Sequence, residues 1–328
     1  MKMFHGVSFI IACSMAVILI NMGLLLPART GVSVANASFP LPAFVSASVP
    51  AKSGQDGTRL AIDLEPASGP DADLKLYASL NYDLDAVREG RGDVPRITLA
   101  SLPSDLWRER ETSKRKALFL KSVLPLVLQV NEQITQDRKR LKNLATAQKQ
   151  GPLQALDRLW LAVMAERYGT KRGDINAVLN RHDVVPPSLA LAQAATESAW
   201  GSSRFVREGN AMFGQWTFSP QHPGIVPAGR DEGKTHRIRA FASLYDSLDS
   251  YVTNLNKHRA YKEFREMRSA MRRQGQPLDG LRLAGTLHRY SERGADYVNE
   301  LRAIIFSNDL RLVDGARLSP NATVEPLI

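Results

Sequence analysis

The chain has 328 residues, 44% of them hydrophobic and 23% charged, with 43 Lys and Arg against 33 Asp and Glu, a formal net charge of +10 and a pI of about 9.8. That length admits one large domain or two ordinary ones, and the composition excludes wholesale disorder. The one cysteine, Cys13, lies near the start, which excludes disulfide frameworks, thiolate zinc sites, iron–sulfur clusters and a cysteine nucleophile in the body of the chain.

In chain order, Lys2 and His5 precede an uncharged apolar run at residues 7–26, and Ala35-Asn36-Ala37 supplies a small-x-small cleavage site. Residues 1–37 therefore read as a signal peptide or a membrane anchor. Twenty residues exceed the usual signal core of about 7–15 and are enough to span a bilayer. Either way the bulk of the protein is expected outside the cytoplasm, periplasmic or attached to the inner membrane through residues 7–26. Residues 38–103 are rich in Pro, Ser, Ala and Asp and read as a linker, with one short helix at 74–87. A flexible tether of that length reaches roughly 45 Å root-mean-square.

From residue 104 to 308 the pattern turns helical. Ser113 is expected to cap a helix carrying Leu118, Val123, Val127 and Ile134, which Pro125 should kink or split. A second helix spans 154–168, with Leu156, Leu159, Val163 and Met164 on one side and Gly169 as its stop. A third covers 175–180. Pro186-Pro187 opens a helix over 188–200 that Gly201 closes. Residues 213–240 lack helical period and hold many Pro and Gly, so they read as loop and a short hairpin with one strand at 235–241. Helices follow at 247–256, 261–273, 278–290 and 296–305, and residues 309–328 read as a frayed tail. The fold class is mainly α (α+β), with one small β lobe. The clusters Lys114-Arg115-Lys116 and Arg138-Lys139-Arg140 read as solvated helix faces, and an exported chain argues against nucleic acid as partner.

The helix at 188–200 carries the chemistry. Most of its sequence is small and apolar, Glu197 is its one ionisable residue, and a lone carboxylate there is costly unless paired or used. Glu197 sits in the last turn, where the helix dipole disfavours a negative charge. Trp200, three residues on, is placed to desolvate it, and both effects raise its pKa. A carboxyl that stays protonated near neutral pH suits a general acid at a glycosidic oxygen. The competing reading pairs Glu197 with Arg204 or Arg207 as a tie between helices.

The stretch Leu191-Ala-Gln-Ala-Ala-Thr-Glu-Ser-Ala-Trp-Gly-Ser-Ser-Arg-Phe205, followed by Gly209-Asn-Ala-Met-Phe-Gly-Gln-Trp216, resembles the β-N-acetylglucosaminidases that cleave peptidoglycan, glycoside hydrolase family 73. The resemblance runs from about Val94-Pro95-Arg96 to near Ile305. It implies a lysozyme-like fold with a cleft between a helical and a β lobe, and hydrolysis of β-1,4 links in the wall glycan. By the same resemblance Glu197 matches the catalytic acid, and Tyr290 and Tyr297 match a pair of which one assists catalysis. Asn210, Phe213 and Gly214 match the turn after the acid helix, and Phe241, Tyr245 and Ser247 a strand-to-helix segment. Trp200, Asn210, Phe213, Gln215, Trp216 and Tyr245 are the expected substrate contacts. Many relatives carry a second carboxylate on the hairpin, where this chain offers only Asp231 and Glu232. If neither serves, the substrate's own N-acetyl group is the expected stabiliser.

Trp216, Phe218, Tyr245 and Tyr251 are candidate platforms for sugar faces. His182, His222, His236, His258 and His288 show no metal-ligand spacing, so neither metal nor organic cofactor is expected. The expected partner is the peptidoglycan glycan strand. The rival functions are a lytic transglycosylase, which shares the fold and often relies on one glutamate, and a wall-binding scaffold without turnover.

Overall fold

In the computed structural model, which describes Tyr77 and residues 80–324 apart from 104 and 105, the first elements are α1 (Leu84–Arg88) and β1 (Val94–Ile97). Both fall in the stretch expected to be linker. The Asp83 carboxylate caps α1 by accepting the Asp85 N–H, and Leu84, Val87, Val94 and Ile97 enter the main core. The leader, its apolar run at 7–26 and most of the linker lie outside the described residues. Among the described residues no helix is long and apolar enough to cross a membrane.

Helix α2 (Thr112–Gln150) is 39 residues long and continuous through Pro125, so Pro125 does not split it. An interior proline costs about 3 kcal/mol. Here it sits in a segment buried almost throughout, from Leu118 to Leu128, where each large apolar side chain contributes about 1.5–3 kcal/mol. Ser113 is not the cap: Glu111 takes that position, and the Ser113 hydroxyl donates to its carboxylate at 2.7 Å.

The far half of α2, with Leu141 and Leu144, joins α3 (Ala155–Tyr168) and α4 (Ile175–Arg181) around a second, smaller core. The buried face of α3 differs from the expected one. Leu161, Met164, Ala165 and Tyr168 point inward, while Leu156, Leu159 and Val163 are 78%, 63% and 48% exposed. Apolar residues lie on two opposite sides of this helix, and the side bearing Tyr168 is the one packed against α2 and α4, where its hydroxyl also bonds His182 Nδ1 at 2.6 Å.

The loop after α4 is pinned by Arg268, whose guanidinium donates to the carbonyls of Arg181, Asp183 and Val184 and to Asn256 Oδ1. Burial pushes the Asp183 carboxyl up, but the charges of Arg268, Arg272 and Arg138 hold it below the ordinary value. This fixes the entry to α5 (Pro187–Ser198), with Pro187 at its first position. Helix α5 lies at the centre, against α2 on one side and the C-terminal helices on the other.

After α6 (Arg204–Gly209), strands β2 (Trp216–Thr217), β3 (Gly224–Ile225) and β4 (Arg237–Arg239) form an antiparallel sheet in the order β2-β4-β3. It replaces the expected two-stranded hairpin. A Cβ on Gly209 would come within 2.8 Å of Ile225 and 2.9 Å of Ala240, so this close approach of α6 to the sheet needs glycine. Then come α7 (Leu244–Lys257), α8 (Lys262–Arg273), α9 (Gly280–Ala284) and α10 (Ala295–Ser307). Helix α9 stops at Ala284, well short of residue 290, and the next backbone bonds tighten to i→i−3, from Thr286 to Leu283 and from Leu287 to Ala284.

The segment expected to fray is built into the body. Leu310 and Val313 are buried, and β5 (Leu318–Val324) pairs in parallel with β1. Asp314 accepts both the backbone N–H and the hydroxyl of Ser188, each at 2.8 Å, and so caps the start of α5 from a distant segment. The architecture is mainly α with a small β lobe, the class that the sequence implies.

Candidate active site

Glu197 stands in the last turn of α5, and the chain leaves the helix by an abrupt reversal. Ala199, Trp200 and Gly201 all have positive φ, at 49°, 56° and 79°. Non-glycine residues adopt this conformation at a cost of roughly 1–2 kcal/mol each. Ser198 steadies the turn: its hydroxyl donates to the Ala194 carbonyl and accepts the Gly201 N–H. Because the helix ends before Trp200, the indole does not occupy the i+3 position. It packs edge-on against Phe119, with centroids 5.6 Å apart, and under the Lys116 ammonium at 4.8 Å.

Tyrosines surround the carboxyl instead. Tyr297 on α10, itself buried, donates its hydroxyl proton to Glu197 Oε1 at 2.8 Å. Tyr290 stacks on Tyr297, with planes 2° from parallel, and Tyr261 leans on Tyr290 at 5.6 Å. Of the two tyrosines the sequence offers, Tyr297 is the one that reaches Glu197. Burial pushes the Glu197 pKa up to about 7, against the opposing pull of the Tyr297 hydrogen bond and the Arg293 charge, and Glu300 adds to the rise. Arg293 itself is paired with Glu300.

Arg204 and Arg207 do not pair with Glu197. Arg204 pairs with Glu208 and donates to the Val226 carbonyl, and Arg207 lies over the Trp107 ring at 4.6 Å. The reading of Glu197 as a helix tie is thereby set aside.

The residues after α6 are mainly positional. Asn210, in a left-handed turn, donates to the Phe241 carbonyl at 3.3 Å. The Ser247 hydroxyl holds the Met212 N–H. Phe213 and Tyr251 are both buried and stack face to face, 3.9 Å between centroids, so neither offers a ring to a sugar. Trp216 is half-buried with one face taken by His236, 4.2 Å away and 15° from parallel. Phe218 is 62% exposed and Tyr245 half-buried. Gln215 Oε1 is buried with no hydrogen-bond partner among the described residues.

Asp231 and Glu232 lie exposed in the loop between β3 and β4, and among the described residues no hydrogen bond or ion pair joins either to Glu197. A charged pair in a Gly-flanked turn is solvated, and nothing desolvates it. Among the described residues no three His, Cys, Asp or Glu side chains gather to hold a metal ion. His182 is engaged by Tyr168 and Asp137.

A further polar side chain joins the site. Gln193, fully buried, accepts the Tyr251 hydroxyl at 2.7 Å and donates to the Tyr297 oxygen at 2.9 Å. Its signal was its place four residues before Glu197 on an otherwise apolar helix, which puts both on one face.

A family model described as mannosyl-glycoprotein endo-beta-N-acetylglucosaminidase matches residues 173–310, which hold both Glu197 and Tyr297. Protein bax of Escherichia coli (strain K12) is 32% identical over 220 residues, covering 65% of this chain and 76% of that protein. Exo-glucosaminidase LytG of Bacillus subtilis (strain 168) is 26% identical over 143 residues, 38% of this chain and 45% of the relative. No solved structure matches.

Proposed function

The chain belongs to the glucosaminidase family and is a glycosidase, and from that premise we propose that it is an endo-β-N-acetylglucosaminidase cleaving β-1,4 links of peptidoglycan, with Glu197 as general acid. The observation that carries this reading is the Glu197 carboxyl, raised to about 7 and held by Tyr297. Such a group keeps its proton near neutral pH and gives it to the leaving oxygen as the glycosidic bond breaks. Water then adds at the anomeric carbon, and its proton restores the acid.

Among the described residues no second carboxylate is hydrogen-bonded to Glu197, and Glu300, whose charge reaches it, is paired with Arg293; on this reading the positive charge that develops at the sugar is met by the substrate's own N-acetyl oxygen. The exposed ring of Phe218 and the half-buried Tyr245 complete the sugar-binding face. Export rests on residues 1–37, either a signal peptide that leaves the protein periplasmic or an anchor that holds it to the inner membrane through residues 7–26, and the net charge of +10 favours adhesion to an anionic wall.

That Glu197 has no carboxylate hydrogen-bonded to it among the described residues favours one alternative, a lytic transglycosylase. Mass spectrometry of digested peptidoglycan separates the two: reducing N-acetylglucosamine ends mark the hydrolase, anhydro-muramic ends the transglycosylase. If the parent binds sacculi but releases no sugar, the chain is a scaffold and the proposal fails.

A further inference from the structure

Gln193 is fully buried in the middle of an Ala-rich helix, where no packing requirement calls for an amide. A buried amide is tolerated when its polar ends are engaged, and this one bonds hydroxyls from two other helices. Its carbonyl has only lone pairs to offer, so Tyr251 on α7 must donate to it. Its nitrogen has only N–H groups to offer, so the Tyr297 oxygen must accept from it. The single phenolic proton of Tyr297 is thereby directed to the remaining partner, Glu197 Oε1. Phe213, flat against the Tyr251 ring, fixes the first member of the run.

We propose that Gln193 is a positioning residue for the glycosidase reaction: through the ordered run Tyr251→Gln193→Tyr297→Glu197 it holds the Tyr297 hydroxyl as a donor to Oε1, and so assigns Oε2 as the oxygen that carries and delivers the acid proton. An oxygen that already accepts a strong hydrogen bond is the poorer site for a proton. The inference rests on Glu197 being the acid. The other titratable groups around that carboxyl, Arg293, Glu300, Tyr261 and Tyr290, do not make this choice. Arg293 and Glu300 act on it through charge alone, and Tyr261 and Tyr290 feel its charge without a hydrogen bond to it, whereas Tyr297 is hydrogen-bonded to it.

The test is a double-substitution cycle in the full chain, with Gln193→Met and Tyr297→Phe alone and together. One readout is sugar released from purified sacculi as a function of pH. The other needs no substrate: carbon-13 NMR of the glutamate carboxyls, with the Glu197 resonance identified by its loss in Glu197→Gln. Gln193→Met is expected to lower kcat about ten-fold with KM nearly unchanged, and to move the Glu197 midpoint upward as Tyr297→Phe does. On the Tyr297→Phe background the same change is expected to alter neither. Losses that multiply, or a Glu197 midpoint that Gln193→Met leaves in place, overturn the proposal. Tyr251→Phe keeps the amide and guards against misfolding of the first variant: a smaller upward shift supports the relay, and no shift contradicts it. Should the midpoints move as expected while the parent releases no sugar, the relay stands and the glycan-cleavage reading falls.

Discussion

Glu197 on α5 and the Asp231–Glu232 pair between β3 and β4 are the two places where the sequence offers carboxylates for catalysis, and their surroundings set them apart. Glu197 is enclosed by tyrosines and held by one of them, and its pKa rises to about 7. Asp231 and Glu232 stand in water on a Gly-flanked turn. Burial disfavours the charged form of a carboxyl, and at Glu197 it outweighs both the Tyr297 hydrogen bond and the Arg293 charge. The helical lobe encloses its carboxyl, and the β lobe leaves its pair exposed.

Exchanging Glu197 for Gln breaks the stronger half of that contrast. Loss of the acid is expected to cut sugar release from sacculi by about 10²–10⁴-fold, with binding to sacculi retained. The same substitution is expected to raise stability. The folded-state pKa of Glu197 lies above its ordinary 4.5, so folding stability is full below that value and falls as pH rises toward 7. The loss amounts to about 3 kcal/mol. Glu197→Gln removes it, so thermal unfolding at pH 8 should occur at higher temperature than in the parent, while near pH 4 the two should nearly coincide.

Tyr297→Phe sharpens the contrast from the side of the acid's support. Its hydrogen bond favours the charged form of Glu197. Removal is therefore expected to move the alkaline limb of the pH–rate profile upward while lowering the rate about ten-fold. The smallest effect is expected on the β lobe: Asp231→Asn and Glu232→Gln, singly or together, should change sugar release by less than about two-fold, as surface substitutions do. A large loss there would restore a second catalytic carboxylate.

What could be read from the chain follows the distance over which each feature is determined. Helix α5 was legible because Pro186-Pro187 and Gly201 punctuate it, and Glu197 because it is the one ionisable residue in that helix. The buried face of α3 was not, since Leu156, Leu159 and Val163 form as good a stripe as Leu161, Met164 and Tyr168. Only the packing of α2 and α4 chooses between them. The pairing of β1 with β5 spans more than two hundred residues, and neither strand carries a local signal of the other. In the site, the shelter of Glu197 was assigned to Trp200 on helical spacing. The left-handed turn at Ala199 ends that spacing and leaves the role to Tyr297, a hundred residues away.

The most direct measurement is a titration of the Glu197 side-chain carboxyl by carbon-13 NMR in the intact chain. A midpoint near 7, rising further in Tyr297→Phe, is what the buried, tyrosine-held acid requires. A midpoint at or below the ordinary 4.5 would mean that the group is a carboxylate at neutral pH, and the general-acid account would be wrong.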